Sequence, residues 1–248
     1  MKKSLTYAVV IATIVWSMGL GALVSVASAA YAPVAGDIIK VNGTDRPAVY
    51  VVGDDLKPYV FSTRNTYGSW LDDFSSLKNI TQEEFDSMNL GGNVTVRPGS
   101  LIRFDNSNVV YAALPGNKLC RLPADADAKA LYGNDYAARV MLIQVSFVGN
   151  YTFDSSCTMT KDSLLPDGSL IQYAESSDIY YIENGLKRMV SSEAFLANRF
   201  RNTNVVRNMV ATRAYDSGMA IGGEETEITS FTLTNRARAM FRAGQAAN

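Results

Sequence analysis

Asp178-Ile-Tyr-Tyr-Ile-Glu-Asn-Gly-Leu-Lys-Arg-Met-Val190 is the stretch from which the fold is read. Aromatic and β-branched residues flank Asn184-Gly185, the pair that best tolerates the two positive φ angles of a type I′ turn. The segment is therefore expected to be a β-hairpin. The same design occurs twice earlier. Ala48-Val-Tyr-Val-Val52, a polar Gly-Asp-Asp break and Lys57-Pro-Tyr-Val-Phe61 make one copy. Val109-Val-Tyr-Ala-Ala113, Pro115-Gly116-Asn117 and Lys118-Leu-Cys-Arg-Leu122 make the other.

Working outward, each hairpin is preceded by a turn glycine and an apolar strand: Gly36-Asp-Ile-Ile-Lys40, Pro98-Gly-Ser-Leu-Ile-Arg103 and Pro166-Asp-Gly-Ser-Leu-Ile-Gln172. The hairpin tyrosines Tyr50, Tyr111 and Tyr180 are 61 and 69 residues apart. A period of that length implies stacked supersecondary units, none able to bury its apolar face alone. Helical stretches follow the hairpins. Asn65–Leu71 precedes a capping box at Thr81-Gln-Glu-Glu84. Asp125–Val140 has helical spacing, with a break expected at Gly133. Ser191 caps Ser192–Asn198. Each unit closes on glycine, with Phe85–Gly92 matching Tyr215–Gly223 and Gly92–Val96 matching Gly149–Phe153. Ile228–Thr234 alternates and reads as a strand. The expected fold class is β-rich α+β: tandem β-hairpin-plus-helix repeats in three units. Their spans are 30–97, 98–163 and 164–234, followed by a tail at 235–248. A propeller-like closure is the alternative, although three units fall short of the usual ~4–8 blades.

Residues 1–29 read as a signal peptide. Lys2-Lys3 is a basic start, Ser4 to Ala30 carries no charge, and Ala27, Ala29 and Ala30 frame a small-residue cleavage site. The run is also long enough for an uncleaved membrane anchor, the membrane contact the sequence offers. Without Lys2 and Lys3, 21 basic side chains face 24 acidic ones, a balance that argues against a nucleic-acid partner. Cys120 and Cys157 are the only cysteines, and in an exported chain such a pair is expected to form a disulfide. There is no histidine in the 248 residues, which excludes Ser-His-Asp and Cys-His catalysis and histidine zinc sites.

No G-x-S-x-G elbow is present and no cofactor is implied. Asp54-Asp55, Asp72-Asp73 and Asp125-Ala-Asp127 invite a calcium reading. None fits the calcium loop pattern, so turn and N-cap chemistry is expected. Asn42, Asn79, Asn93 and Asn150 open N-glycosylation triplets, and turn asparagine is the simpler account. Trp70, Tyr180 and Tyr181 are candidates for stacking on a glycan. The competing expectation is that they fill a half-buried sheet face.

Four blocks carry a resemblance. They are Gly36–Lys40; Ala48–Phe61, with Ala-Val-Tyr-x-x-Gly-x-Asp-x-Lys-x-Tyr-Val-Phe; Thr66–Ile80; and Leu90–Gly99, with Leu-Gly-Gly-Asn-Val-Thr-x-Arg-Pro-Gly. With Val110–Gly133 and Phe147–Thr152, the chain resembles the exported, S-layer-like cell-surface repeat proteins of candidate-phyla (Patescibacteria) bacteria over residues 1–155. The third repeat, Leu165–Met189, is similar to the single-hairpin version in related surface proteins. Cys120 departs from the pattern. The resemblance implies export to the cell surface or beyond and a non-enzymatic structural or adhesive role. Other copies of the chain, envelope components or surface glycan would be its partners. A monomeric extracellular binding module for glycan or a surface protein is the alternative.

Overall fold

The computed structural model describes residues 30–43 and 48–232. The signal-peptide reading, including Ala27 and Ala29, and the tail at 235–248 therefore lie outside the described residues. The chain divides after Ala32, and the main body begins at Pro33. Among the described residues no helix is long and apolar enough to cross a membrane.

The body contains three five-stranded sheets of one topology. In unit 1, β1 (Ile38–Val41), β2 (Val49–Val52) and β3 (Pro58–Phe61) form an antiparallel meander. The chain then passes through helix α1 (Arg64–Trp70) and returns as β4 (Leu77–Ile80), parallel to β1. After α2 (Gln82–Asp86), β5 (Gly92–Val94) lies parallel to β3. Unit 2 repeats this with β6 (Leu101–Phe104), β7 (Val110–Leu114), β8 (Lys118–Leu122), α3 (Asp125–Tyr132), β9 (Val140–Ile143) and β10 (Thr152–Thr158). Unit 3 repeats it with β11 (Leu170–Tyr173), β12 (Ile179–Glu183), β13 (Leu186–Val190), α4 (Ser192–Ala197), β14 (Val205–Met209) and the short β15 (Asp216–Ser217). A last helix, α5, covers Thr226–Thr229.

The register explains the tyrosine period. Tyr50 faces Ile39, Tyr111 faces Ile102 and Tyr180 faces Ile171. All three isoleucines are fully buried, whereas the tyrosines are half-buried. Asn184 and Gly185 have φ of 53° and 72°, the positive pair that a tight hairpin needs. Local helix signals also hold. Thr81 and Glu84 form the capping box, and Ser191 Oγ accepts from Ala194 N at 3.1 Å; the cap of α1, not singled out from the sequence, is Thr63, whose Oγ1 accepts from Thr66 N at 3.0 Å. At Gly133, with φ of 90°, α3 ends.

Four expectations are corrected. Val140 and Met141 belong to strand β9, because the break at Gly133 frees the chain to pair with β6. Ile228 and Thr229 end helix α5, and Ser230–Thr232 continue without regular structure. The counterpart of Gly92 is Met219: Ile221 sits opposite Val190 as Val94 sits opposite Phe61, and Gly218 N donates to the Lys187 carbonyl as Gly91 N donates to that of Pro58, so Gly223 lies beyond the matched stretch. No propeller closure is seen among the described residues: each sheet is built from five consecutive strands, and none is completed by a strand from the other end of the chain.

Packing between units is by side chains. Leu101 and Cys120 of unit 2 share one core cluster with Ile171, Ile182 and Val206 of unit 3. The turn glycines of these units abut. A Cβ on Gly99 would sit 2.2 Å from the Gly168 carbonyl oxygen, and both residues have positive φ, so only glycine fits. Phe231 enters the unit 1 cluster, its ring 4.6 Å from Trp70 and 5.8 Å from Phe61. Asp54 of unit 1 accepts hydrogen bonds from Ser230 and Thr232. Arg97 pins unit 1 to unit 3 in the same way. Its guanidinium lies 5.4 Å from the Trp70 ring and 4.8 Å from Phe200, and donates to the Asn198 and Arg199 carbonyls at 2.7 Å. Burial pushes this guanidinium down to about 10, so it stays charged at neutral pH.

Candidate functional site

Two adjoining clefts open where loops of all three units meet, sharing Arg139 and Thr203 as a common wall. The larger, about 640 Å³, lies between α3 with its following turn and the β14 region. The smaller, about 370 Å³, lies between α1 and the Asn202–Asn204 turn. Together they form a groove across the three units.

Local folding sets its walls. Helix α1 carries Arg64 and Asn65 at the surface, and Asn65 Nδ2 donates to the Leu142 carbonyl of unit 2 at 2.7 Å. Arg201 follows α4 and donates to the Leu71 carbonyl at 2.7 Å while pairing with Asp72 at 2.5 Å. Arg207 points outward from β14 and donates to Gln172 Oε1 and, at 3.2 Å, to Asn202 Oδ1, all within unit 3, and Arg213 donates to the Lys161 carbonyl of unit 2 at 2.6 Å. Each contact crosses a unit boundary except Arg207's, so the groove depends on the units being docked.

The groove is cationic. Arg64, Lys129, Arg139, Arg201, Arg207 and Arg213 line it against two acids, Asp72 and Asp135, in a chain of net charge −1. Walls of one sign in a low-dielectric cleft concentrate the field and raise local counter-ion concentration. Arg64 has no partner among the described residues. Arg139 lies 3.6 Å from Asp135 and donates through Nη2 to the Tyr132 carbonyl; its buried Nε has no hydrogen-bond partner. Asn65, Asn134, Asn202, Asn204 and Thr203 add exposed amide and hydroxyl groups. Phe74, 46 % exposed, stands at the smaller cleft with its ring 4.4 Å from Tyr67 and only 16° off parallel. Tyr67 Oη donates to the Asp73 carbonyl at 2.5 Å, and burial raises its pKa.

The residues singled out from sequence fall elsewhere. Trp70 is buried, donates through Nε1 to the Thr95 carbonyl at 2.8 Å, and has Phe231 and Arg97 against its ring. Tyr181 is buried against Phe200 at 5.3 Å. Neither ring has a face open to a sugar; both fill the core between sheet and helix. Tyr180 is half-buried, 5.9 Å from Tyr173 and 5.5 Å from Lys187 Nζ. The structure does not bring these three together. Cys120 and Cys157 are joined, linking β8 to β10.

The acidic pairs are engaged by protein donors. Asp54 takes Ser230 and Thr232, and Asp55 takes Tyr59 Oη at 3.0 Å. Asp73 accepts from Ser75 N at 2.8 Å, and the Ser75 side chain and then this backbone N–H lower its pKa; Asp127 accepts from Lys161 N at 2.7 Å. Asp125 pairs with Lys129 at 2.6 Å and accepts from Tyr136 Oη at 2.6 Å, so its pKa is lowered. Among the described residues no group of three or more His, Cys, Asp or Glu side chains is placed to hold a metal. Asn93 and Asn150 hydrogen-bond to each other at 3.0 Å across the unit 1–unit 2 boundary.

Sequence reasoning missed the groove because its cations span Arg64 to Arg213 and converge only when three units dock. A local signal existed: Arg199, Arg201, Arg207 and Arg213 fall within fifteen residues. No protein-family model matches the chain, and no curated protein matches it.

Proposed function

We propose that the protein is a non-enzymatic, exported component of the cell envelope or surface, with a structural, S-layer-like or adhesive role. The observation that carries this reading is the threefold recurrence of one five-stranded sheet, docked through Arg97, Phe231 and the Gly99–Gly168 contact. Its side-chain chemistry fastens units together, as a scaffold requires. The Cys120–Cys157 bridge supports an oxidising location. Exposed apolar side chains on outer strands, Leu142 on β9 and Phe153 on β10, support pairing between copies.

Light scattering on the oxidised chain across a concentration series, with imaging of any high-mass fraction, tests this. Concentration-dependent sheets or filaments are expected. A monomer at every concentration would replace the structural role with the second reading, a monomeric extracellular binding module. The cationic groove favours that second reading.

A further inference from the structure

The geometry points to the three-unit groove as the seat of an acidic glycan, a sugar chain bearing carboxylate or phosphate groups. This rests on the extracellular reading above, not on self-assembly. Three kinds of group converge there. Guanidiniums match the planar oxygens of carboxylate and phosphate, and Arg64 and Arg207 present theirs at the surface. Amides and a hydroxyl, from Asn65, Asn202, Asn204 and Thr203, match a partner rich in hydroxyls. Phe74, backed by Tyr67, offers an aromatic face of the kind on which sugar C–H groups rest.

The lining also weighs against other partners. Much of its apolar lining, Leu131, Tyr132, Val205, Met209 and Tyr67, is buried in the cores of the units and is not presented as a socket for a peptide anchor. A nucleic-acid strand is served by a row of stacking aromatics, and here one exposed ring stands alone. Turning toward an anion would also give the Arg139 Nε the acceptor it lacks.

The test titrates the exported, oxidised chain with polygalacturonate, dextran phosphate, neutral dextran, inorganic polyphosphate and a single-stranded DNA oligonucleotide. At least one charged glycan is expected to bind, with neutral dextran silent and affinity falling as salt rises. If only polygalacturonate or only dextran phosphate binds, the proposal stands and the charged group is identified. Reversing two exposed cations in R64E/R207E is expected to weaken binding about tenfold or more with an unchanged melting temperature. F74A is expected to weaken glycan binding about threefold while leaving polyphosphate binding unchanged. The proposal is overturned if no charged glycan binds, or if R64E/R207E binds as tightly as the parent. It is also overturned if polyphosphate or DNA competes equally and F74A has no effect. Scattering of the same samples reports self-assembly separately, so failure of either reading is seen on its own.

Discussion

Units 2 and 3 build one sheet and fasten its last strand by different chemistry. In unit 2, β10 pairs with β8 at Thr152 and Phe153, bulges away, and rejoins at Thr158, with the Cys157–Cys120 bond beside the rejoining point. In unit 3, β15 pairs with β13 at Asp216 and Ser217, departs, and rejoins where Ile221 meets Val190. Arg188 spans that interval. Its Nε donates to the Met219 carbonyl at 2.7 Å, and its guanidinium grips Glu183 at 2.6 Å and Glu225 at 2.5 Å. The Glu225 hydrogen bonds hold the Arg188 pKa above its ordinary value. A parallel last strand that leaves its ladder midway needs a clamp at the gap, and the fold accepts either kind. The covalent clamp is indifferent to salt and fails on reduction. The ionic clamp has the opposite sensitivities.

The largest effect is expected from the covalent side. C120S/C157S removes a link across 37 residues and should lower stability by about 3–4 kcal/mol, read as a fall in urea midpoint. Hydrogen exchange should rise across β10 and stay protected across β15. Equal loosening of both strands would show that the clamps are not local.

Arg188→Met should cost about 1–3 kcal/mol, because Glu183 and Glu225 lose their partner while partly buried. Exchange should then rise at β15 first. Sodium chloride should destabilise the parent protein and leave the variant nearly indifferent. A variant that keeps the parent's salt response would break the assignment of the clamp to Arg188.

The seam between the two units has its own sensitivity. Tyr132 of unit 2 and Tyr215 of unit 3 share one core cluster. Burial raises both hydroxyls, Tyr215 to about 12 and Tyr132 further. Unfolded tyrosines ionise near pH 10, so above that pH the unfolded chain loses protons that the folded one keeps. Stability should hold below pH 10 and fall as pH rises from 10 toward 12. Y132F should flatten part of that fall with little change at neutral pH, since the Tyr132 hydroxyl reaches only Met159 Sδ at 3.9 Å. An unchanged alkaline profile in Y132F would remove Tyr132 from this account.

The smallest effect belongs to the hairpin turn. Asn184→Ala places alanine at φ of 53° and should cost about 1 kcal/mol, read as a modest fall in melting temperature.

Local patterns were legible in the sequence. The hairpins followed from Asn184-Gly185 and its two counterparts, the helix starts from Thr81, Glu84 and Ser191, and the disulfide from the cysteine count. The returning strands β4, β9 and β14 were not, because their short apolar segments, such as Val140-Met-Leu-Ile143, also fit a helix. What decides them is the vacant edge beside β1, β6 and β11, a fact of tertiary pairing. The aromatics failed as site markers for a related reason: Trp70 and Tyr181 suit a binding face and a core equally well, and docking put them in the core. The groove residues had only a partial local signature, the arginines between Arg199 and Arg213, since Arg64, Lys129 and Arg139 join them only through the arrangement of whole units.

Phe231 carries a consequence for how the protein is made. Unit 1 begins near Gly36, yet its core is filled by a side chain from near the far end of the described chain. Whether the polypeptide leaves a ribosome or is threaded across a membrane, its first unit emerges long before the residue that completes it. Unit 1, which ends near residue 97, must wait unfinished while 231 − 97 = 134 further residues are made. Contacts of such long sequence separation slow folding. That delay leaves the incomplete first unit as the point where a chaperone would act.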